Sequence, residues 1–147
     1  MRKSRVIGAV MATVAAFGMT MVTASPAAAA SWNSFPTGET VTCSVWQNHP
    51  LTNSVEFRMC IIHGAGPAVQ PLLSVKNNGP YAIRLKGSSE STWNSAVYCP
   101  DSYLSSGLET TCMGKTEAGN PAWDYAYGDL WLYSASTWHY GVATKYL

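Results

Sequence analysis

Charge is scarce in this chain: 12% of its 147 residues are Asp, Glu, Lys or Arg, and after Arg5 no basic run or stripe occurs. Nucleic-acid binding relies on clustered Lys and Arg to neutralise phosphates, so that class of function has no electrostatic footprint here. Cys-x-x-Cys pairs are missing, and His49, His63 and His139 are scattered, which denies a metal its usual ligand spacing. No Gly-x-Ser-x-Gly elbow is present to expose a serine on a strained turn. Residues 31–147 show no sustained 3.6-residue apolar period with caps at both ends, so helices are not expected there. Neither nucleic acid, metal nor cofactor is expected as a partner.

What the chain does contain starts with a leader. Arg2, Lys3 and Arg5 precede residues 6–24, which carry no charge, and Ser25-Pro26 opens a zone of small residues ending Ala28-Ala29-Ala30. A positive start, an apolar centre and small residues three and one before the cut form a secretory signal, here cleaved after Ala30 or one residue earlier. An uncleaved anchor is the alternative, because about 18 uncharged residues can span a bilayer. The Ala, Gly and Thr content and the Pro-Ala tail argue against it. A twin-arginine pair and a lipid-accepting cysteine are both missing, and Lys145-Tyr146-Leu147 carries no anchoring signal. The expectation is a signal peptide at 1–30 and a single secreted, extracellular domain at 31–147, without membrane contact after cleavage.

Three of the nine Lys and Arg residues lie in the leader, so residues 31–147 keep six positive charges against eight negative ones. Those 117 residues suit one domain. They hold all six tryptophans, all eight tyrosines and all four cysteines. In an exported chain the cysteines read as two disulfides with three possible connectivities. Sequential pairing, Cys43–Cys60 and Cys99–Cys112, closes the shorter loops and is preferred. Each would restrict the unfolded chain by about 3 kcal/mol in the loop-entropy account.

Short alternating segments predict strands. Val41, Cys43 and Val45 share one face of residues 40–46, and Val55, Phe57, Met59 and Ile61 alternate with Glu56 and Arg58. Cys60 then falls on the polar side of its strand and Cys43 on the apolar side of its own, which predicts a bulge or non-neighbouring strands if the two are bonded. Residues 72–86 read as strand, turn and strand about Asn77-Asn78-Gly79-Pro80, either a hairpin or a corner between sheets. Further strands are expected at 95–99 and 108–114, and two more about Ser134-Ala135-Ser136-Thr137. The class is all-β, an antiparallel sandwich of about seven strands.

Val75-Lys76-Asn77-Asn78-Gly79 followed by Ile83-Arg84-Leu85 resembles the strand–turn–strand unit of many bacterial immunoglobulin-like domains. Leu104-Ser105-Ser106-Gly107 before Glu109-Thr110-Thr111-Cys112 is similar to the turn that precedes a late strand in those domains. With the signal and the four cysteines, the chain resembles small secreted actinobacterial proteins that have an immunoglobulin-like β-sandwich and no assigned activity. The resemblance implies the fold and brings no active site with it.

Catalytic patterns are weak. His63-Gly64-Ala65-Gly66 has the look of a glycine-rich oxyanion loop, but a turn after a strand accounts for it. Asp124 with Asp129, and Glu109 with Glu117, are carboxylate pairs that any surface with eight acids would supply. The chain is not expected to be an enzyme. The aromatic pattern is more informative. Trp123, Tyr125, Tyr127, Trp131 and Tyr133 share one parity, opposite Ala126, Leu130 and Leu132, provided no break occurs at Gly128-Asp129. Trp138, Tyr140 and Tyr146 share a parity on the next segment. If the leucines are buried, the rings form an exposed face able to stack on sugars or meet a protein. In the opposite reading the rings are the core, which the usual burial of large aromatics favours. The leading expectation is a non-catalytic module that binds an extracellular or cell-envelope partner such as a polysaccharide. A secreted protease inhibitor using Cys99-Pro100-Asp101-Ser102-Tyr103-Leu104 as its loop is the alternative, and a small-ligand carrier is a third.

Overall fold

The computed structural model describes residues 31–120 and 124–146; the leader at 1–30 and Trp123 lie outside them. Among the described residues there are eleven strands: β1 (Trp32–Asn33), β2 (Thr40–Cys43), β3 (Gln47–His49), β4 (Thr52–His63), β5 (Ala68–Asn77), β6 (Ile83–Ser91), β7 (Asn94–Leu104), β8 (Glu109–Met113), β9 (Glu117–Ala118), β10 (Tyr125–Ser134) and β11 (Thr137–Tyr146). One sheet runs β1-β8-β5-β4-β2, with β3 added beside β4 and β9 beside β5; the other runs β11-β10-β6-β7. Among the described residues the strand pairings are antiparallel.

The connectivity is that of an immunoglobulin-like sandwich. After the hairpin β4–β5 the chain crosses to the second sheet for the hairpin β6–β7. It returns as β8 beside β5, and crosses again as β10 beside β6 before closing with β11. These are the two-sheet relations of an immunoglobulin domain, in which a late strand pairs with an early one in each sheet. Seven long strands make this pattern and four short ones extend it.

Alternation explains the core. Val55, Phe57, Met59 and Ile61 from β4, Leu73 and Val75 from β5, Leu85 from β6, and Ala126, Leu130 and Leu132 from β10 are all buried in one cluster. Gly128 faces the same core: a Cβ there would lie 3.0 Å from Leu73 Cβ, Leu73 Cδ1 and Met59 Sδ. The glycine does not interrupt β10; it lets the two sheets approach where Leu73 and Met59 already fill the space.

Both disulfides pair sequentially, Cys43 with Cys60 and Cys99 with Cys112. The first joins directly opposed residues of adjacent strands, with Cα atoms 4.0 Å apart. Neither a bulge nor a separation of strands is needed. The apolar side of β2 turns outward, and Cys60, Ile62 and Leu72 form a second buried cluster on the outer side of the sheet, covered by Phe35, Val41, Cys43 and Met113. The second disulfide links β7 to β8 and so ties one sheet to the other.

The Asn77-Asn78-Gly79-Pro80 turn is a corner between sheets. Asn77 is fully buried, and its Nδ2 donates to Tyr81 O at 2.8 Å and Leu104 O at 3.0 Å, while its Oδ1 accepts from Gly79 N at 3.0 Å. Gly107 N donates to Asn77 O, and Ser106 Oγ donates to Gly79 O. One side chain thus locks the corner against the Leu104-Ser105-Ser106-Gly107 turn.

Candidate functional site

Because Ala126, Gly128, Leu130 and Leu132 point inward, Tyr125, Tyr127, Asp129, Trp131 and Tyr133 point to the outer side of the four-stranded sheet. The rings are therefore not the core, contrary to the usual burial of large aromatics. Cross-strand register adds a second row: Tyr146 lies opposite Tyr125, Tyr140 opposite Trp131, and Trp138 opposite Tyr133. Ring centroids in these pairs are 5.5, 5.5 and 5.2 Å apart. The rings are tilted by 46–61° rather than coplanar, so each presents its own edge and face.

Strand β6 supplies the charge. Its outward parity carries Arg84, Lys86, Ser88 and Glu90, with Lys86 opposite Trp131 and Glu90 opposite Tyr127. At one end the Arg84 guanidinium lies 4.6 Å from the Tyr133 ring centroid, and Lys86 Nζ lies 4.5 Å from that of Trp138. Arg84 also forms a bidentate pair with Asp101, whose carboxyl is held below its ordinary value by that hydrogen bond.

At the other end sits an acidic network. Tyr127 Oη donates to Glu90 at 2.7 Å, Tyr140 Oη donates to Asp129 at 2.8 Å, and Ser88 Oγ lies within 3.1 Å of Glu90 and 3.3 Å of Asp129. Ser88 is fully buried although it faces outward, because the side chains around it close over it. Donation to a carboxylate disfavours loss of the phenol proton, with smaller contributions from desolvation and the nearby negative charges. Both tyrosines are pushed up to about 12.

Tyr98 and Tyr103 of β7 complete the face at its edge, 65% and 72% exposed. Strict alternation puts residues five apart on opposite sides, but β7 shifts register against β6 between Leu85 and Gly87, and both rings stay exposed. The segment 99–104, expected as an inhibitor loop, is instead part of this hydrogen-bonded strand.

Beyond this face lies a cleft of about 500 Å³ at one end of the sandwich, lined by the start of β4, the β5–β6 corner and the ends of β7 and β10. The other polar groups singled out in the sequence lie apart from the aromatic face. Thr42 Oγ1 and His63 Nε2 share an exposed hydrogen bond of 2.9 Å on β2 and β4. His49 is 1% exposed, accepts from Leu51 N at Nδ1 and reaches Leu130 O through Nε2; burial lowers its pKa. Of the carboxylate pairs in the sequence, Asp124 accepts from Thr92, Glu109 accepts from Ser74, and Glu117 stands exposed on β9. Among the described residues no group of three His, Cys, Asp or Glu side chains is placed to hold a metal ion, and no helix is long and apolar enough to cross a membrane.

Fold and face together define a disulfide-braced immunoglobulin-like sandwich with one sheet surfaced by aromatic rings. No protein-family model matches the chain. No curated protein matches it either. Among solved structures, the GAE domain of GGA2p from Saccharomyces cerevisiae aligns with 70% of this chain and 96% of its own, at 11% identity and a TM-score of 0.45.

Proposed function

We propose that this protein is an exported, non-catalytic binding module whose contact surface is the outer face of β6, β7, β10 and β11, and whose partner is a polysaccharide of the cell envelope. The two rows of rings on that face carry the proposal. Large apolar patches on a soluble domain mark binding surfaces. Here the rings alternate with hydroxyl, carboxylate and cationic groups, the mixture that a hydroxyl-rich, ring-shaped ligand requires. The leader at 1–30 and the two disulfides, which need an oxidising environment, support export. The inhibitor alternative has no protruding loop at 99–104 to present.

Affinity electrophoresis through gels containing envelope polysaccharides tests the reading. The mature domain should be retarded by at least one of them, and Trp131→Ala should lose about tenfold in affinity, the equivalent of one stacked ring. Retardation unchanged in Trp131→Ala and in Tyr140→Ala would remove the face from the function.

A further inference from the structure

The cleft at the end of the sandwich is continuous with the aromatic face. Tyr133, Arg84 and Tyr103 belong to both: they stand on the outer side of the four-stranded sheet and also line the cleft. A ligand running along β10 past Trp131 and Tyr133 would reach the end of that strand at Ser134 and meet the cleft. Its far side is built by the other sheet, through Leu51, Thr52 and Ser54. The track therefore has a wall across it at this end.

The cleft has the size and lining of a small-ligand site. Such sites span roughly 300–1,000 Å³ and combine apolar walls with a few placed polar groups. Here Leu132, Ile83 and Pro80 give the apolar part, and Tyr81, 80% exposed, and Tyr103 flank the opening. The polar part is more specific. Thr52 and Ser54 share a hydrogen bond of 2.8 Å, so one of the two hydroxyls keeps its proton for a ligand. Arg84 lines the cleft, and Asp101, outside the lining but bonded to Arg84, sets carboxylate acceptors beside the guanidinium donors in fixed geometry; each side chain is more than a third exposed. Two adjacent sugar hydroxyls need a donor and an acceptor in that relation, because each hydroxyl can donate to the carboxylate while accepting from the guanidinium.

We propose that this cleft is a subsite for the terminal sugar of the glycan chain, with adjacent hydroxyls of that sugar held by Arg84 and Asp101 and its ring packed against Tyr103 and Tyr133. The inference rests on the polysaccharide reading of the aromatic face and makes the module one that binds chain ends rather than chain interiors. Tyr81 and the β5–β6 corner then act as the stop that a continuing chain would strike.

The test uses the mature domain and a polysaccharide that retards it, cut to two average lengths and titrated by calorimetry at equal mass. End binding predicts that the number of sites follows the number of chain ends, so halving the length doubles the sites. Sites that follow total mass overturn the proposal and leave the aromatic face intact. Tyr103→Ala and Asp101→Asn should each weaken binding of the short chains by about tenfold. Because both residues are well exposed, their melting temperatures should stay near that of the unaltered domain. If Trp131→Ala weakens binding while Tyr103→Ala, Tyr81→Ala and Asp101→Asn do not, the cleft is not a subsite. If no glycan binds the unaltered domain, both readings fall together.

Discussion

Gly128→Ala decides by its sign whether β10 turns its rings outward. In the observed register the new methyl would sit 3.0 Å from Leu73 Cβ, Leu73 Cδ1 and Met59 Sδ. Carbon atoms pack best at about 3.5–4.0 Å, so three neighbours must each give by half an ångström or more. Leu73 and Met59 are fully buried, and Leu73 Cβ cannot move without its backbone. Overpacking of this kind costs about 1–3 kcal/mol. Against it stands the lower entropy of alanine in the unfolded chain, a gain of about 0.5–1 kcal/mol. The net expectation is a loss of about 1–2 kcal/mol, or roughly 3–10 °C in melting temperature for a domain of this size.

Urea unfolding followed by tryptophan fluorescence measures it directly. If β10 were slipped by one residue, every side chain would change faces, Gly128 would point to solvent, and the same substitution would stabilise the domain. A gain in stability would therefore refute the placement of Tyr125, Tyr127, Trp131 and Tyr133 on the outside. A double-mutant cycle with Leu73→Val localises the effect. Removing one methyl from the crowded neighbour should recover part of the loss, giving a coupling of about 0.5 kcal/mol or more.

Asn77→Ala should cost about 3 kcal/mol in the same assay, because it strands the Tyr81 and Leu104 carbonyls and the Gly79 amide; a cost below 1 kcal/mol would mean water replaces the side chain without loss. The β10–β11 hairpin turns on Ala135 and Ser136, both at positive φ, 48° and 64°. Replacing the pair by Asn-Gly suits that backbone and should stabilise the domain by about 1 kcal/mol, whereas a loss in urea midpoint would contradict the turn. Tyr127 and Tyr140, pushed up to about 12 from an ordinary value of 10, contribute stability that is complete below pH 10 and is lost as pH rises through 12. Absorbance titration at a tyrosinate wavelength should show two late rings, and Asp129→Asn should bring Tyr140 back toward its ordinary range. His49, held down by burial, works at the acid side: its contribution is complete above its ordinary value of 6.5 and falls as pH drops from there toward its lower folded pKa, a slope that His49→Phe should flatten.

Much of the fold was legible because its period is two. The parity of residues 125–133 separated rings from leucines before any partner strand was known, and the sequential disulfides followed from loop length. Parity alone did not say which side was inside. That depended on Leu73 and Met59, which come from the facing sheet and need a glycine opposite them. The conflict between Cys43 and Cys60 arose from assuming a single apolar side per sheet, whereas Ile62, Leu72 and Cys60 bury a second one. The charged half of the face was hidden for a different reason. Arg84, Lys86 and Glu90 alternate plainly enough, but only the β6–β10 register brings them among the rings. Tyr98 and Tyr103 were out of phase because a register shift separates them.

The two sheets differ in what covers them, and that difference carries the functional argument further than the number of rings does. On the larger sheet the chain covers itself. Phe35 and Trp46 flank the Arg58 guanidinium at 5.4 and 4.0 Å, Arg58 reaches Glu109 at 3.9 Å, and β2 is bonded down through Cys43. Cations of their own sheet touch rings on both sheets, so the difference lies in the covering: on the larger sheet Phe35, Val41 and Met113 pack over Cys60, Ile62 and Leu72, and β2 is crosslinked to the sheet. On the four-stranded sheet no segment among the described residues lies over the rings, and Tyr98, Tyr103, Tyr140 and Tyr146 are each more than half exposed. Packing alone would place smaller or polar residues at such positions, since exposed aromatic surface gains nothing from folding. On the proposed reading a partner buries these rings, and Trp131, within both rows and beside Lys86, is the position where its contribution should be largest.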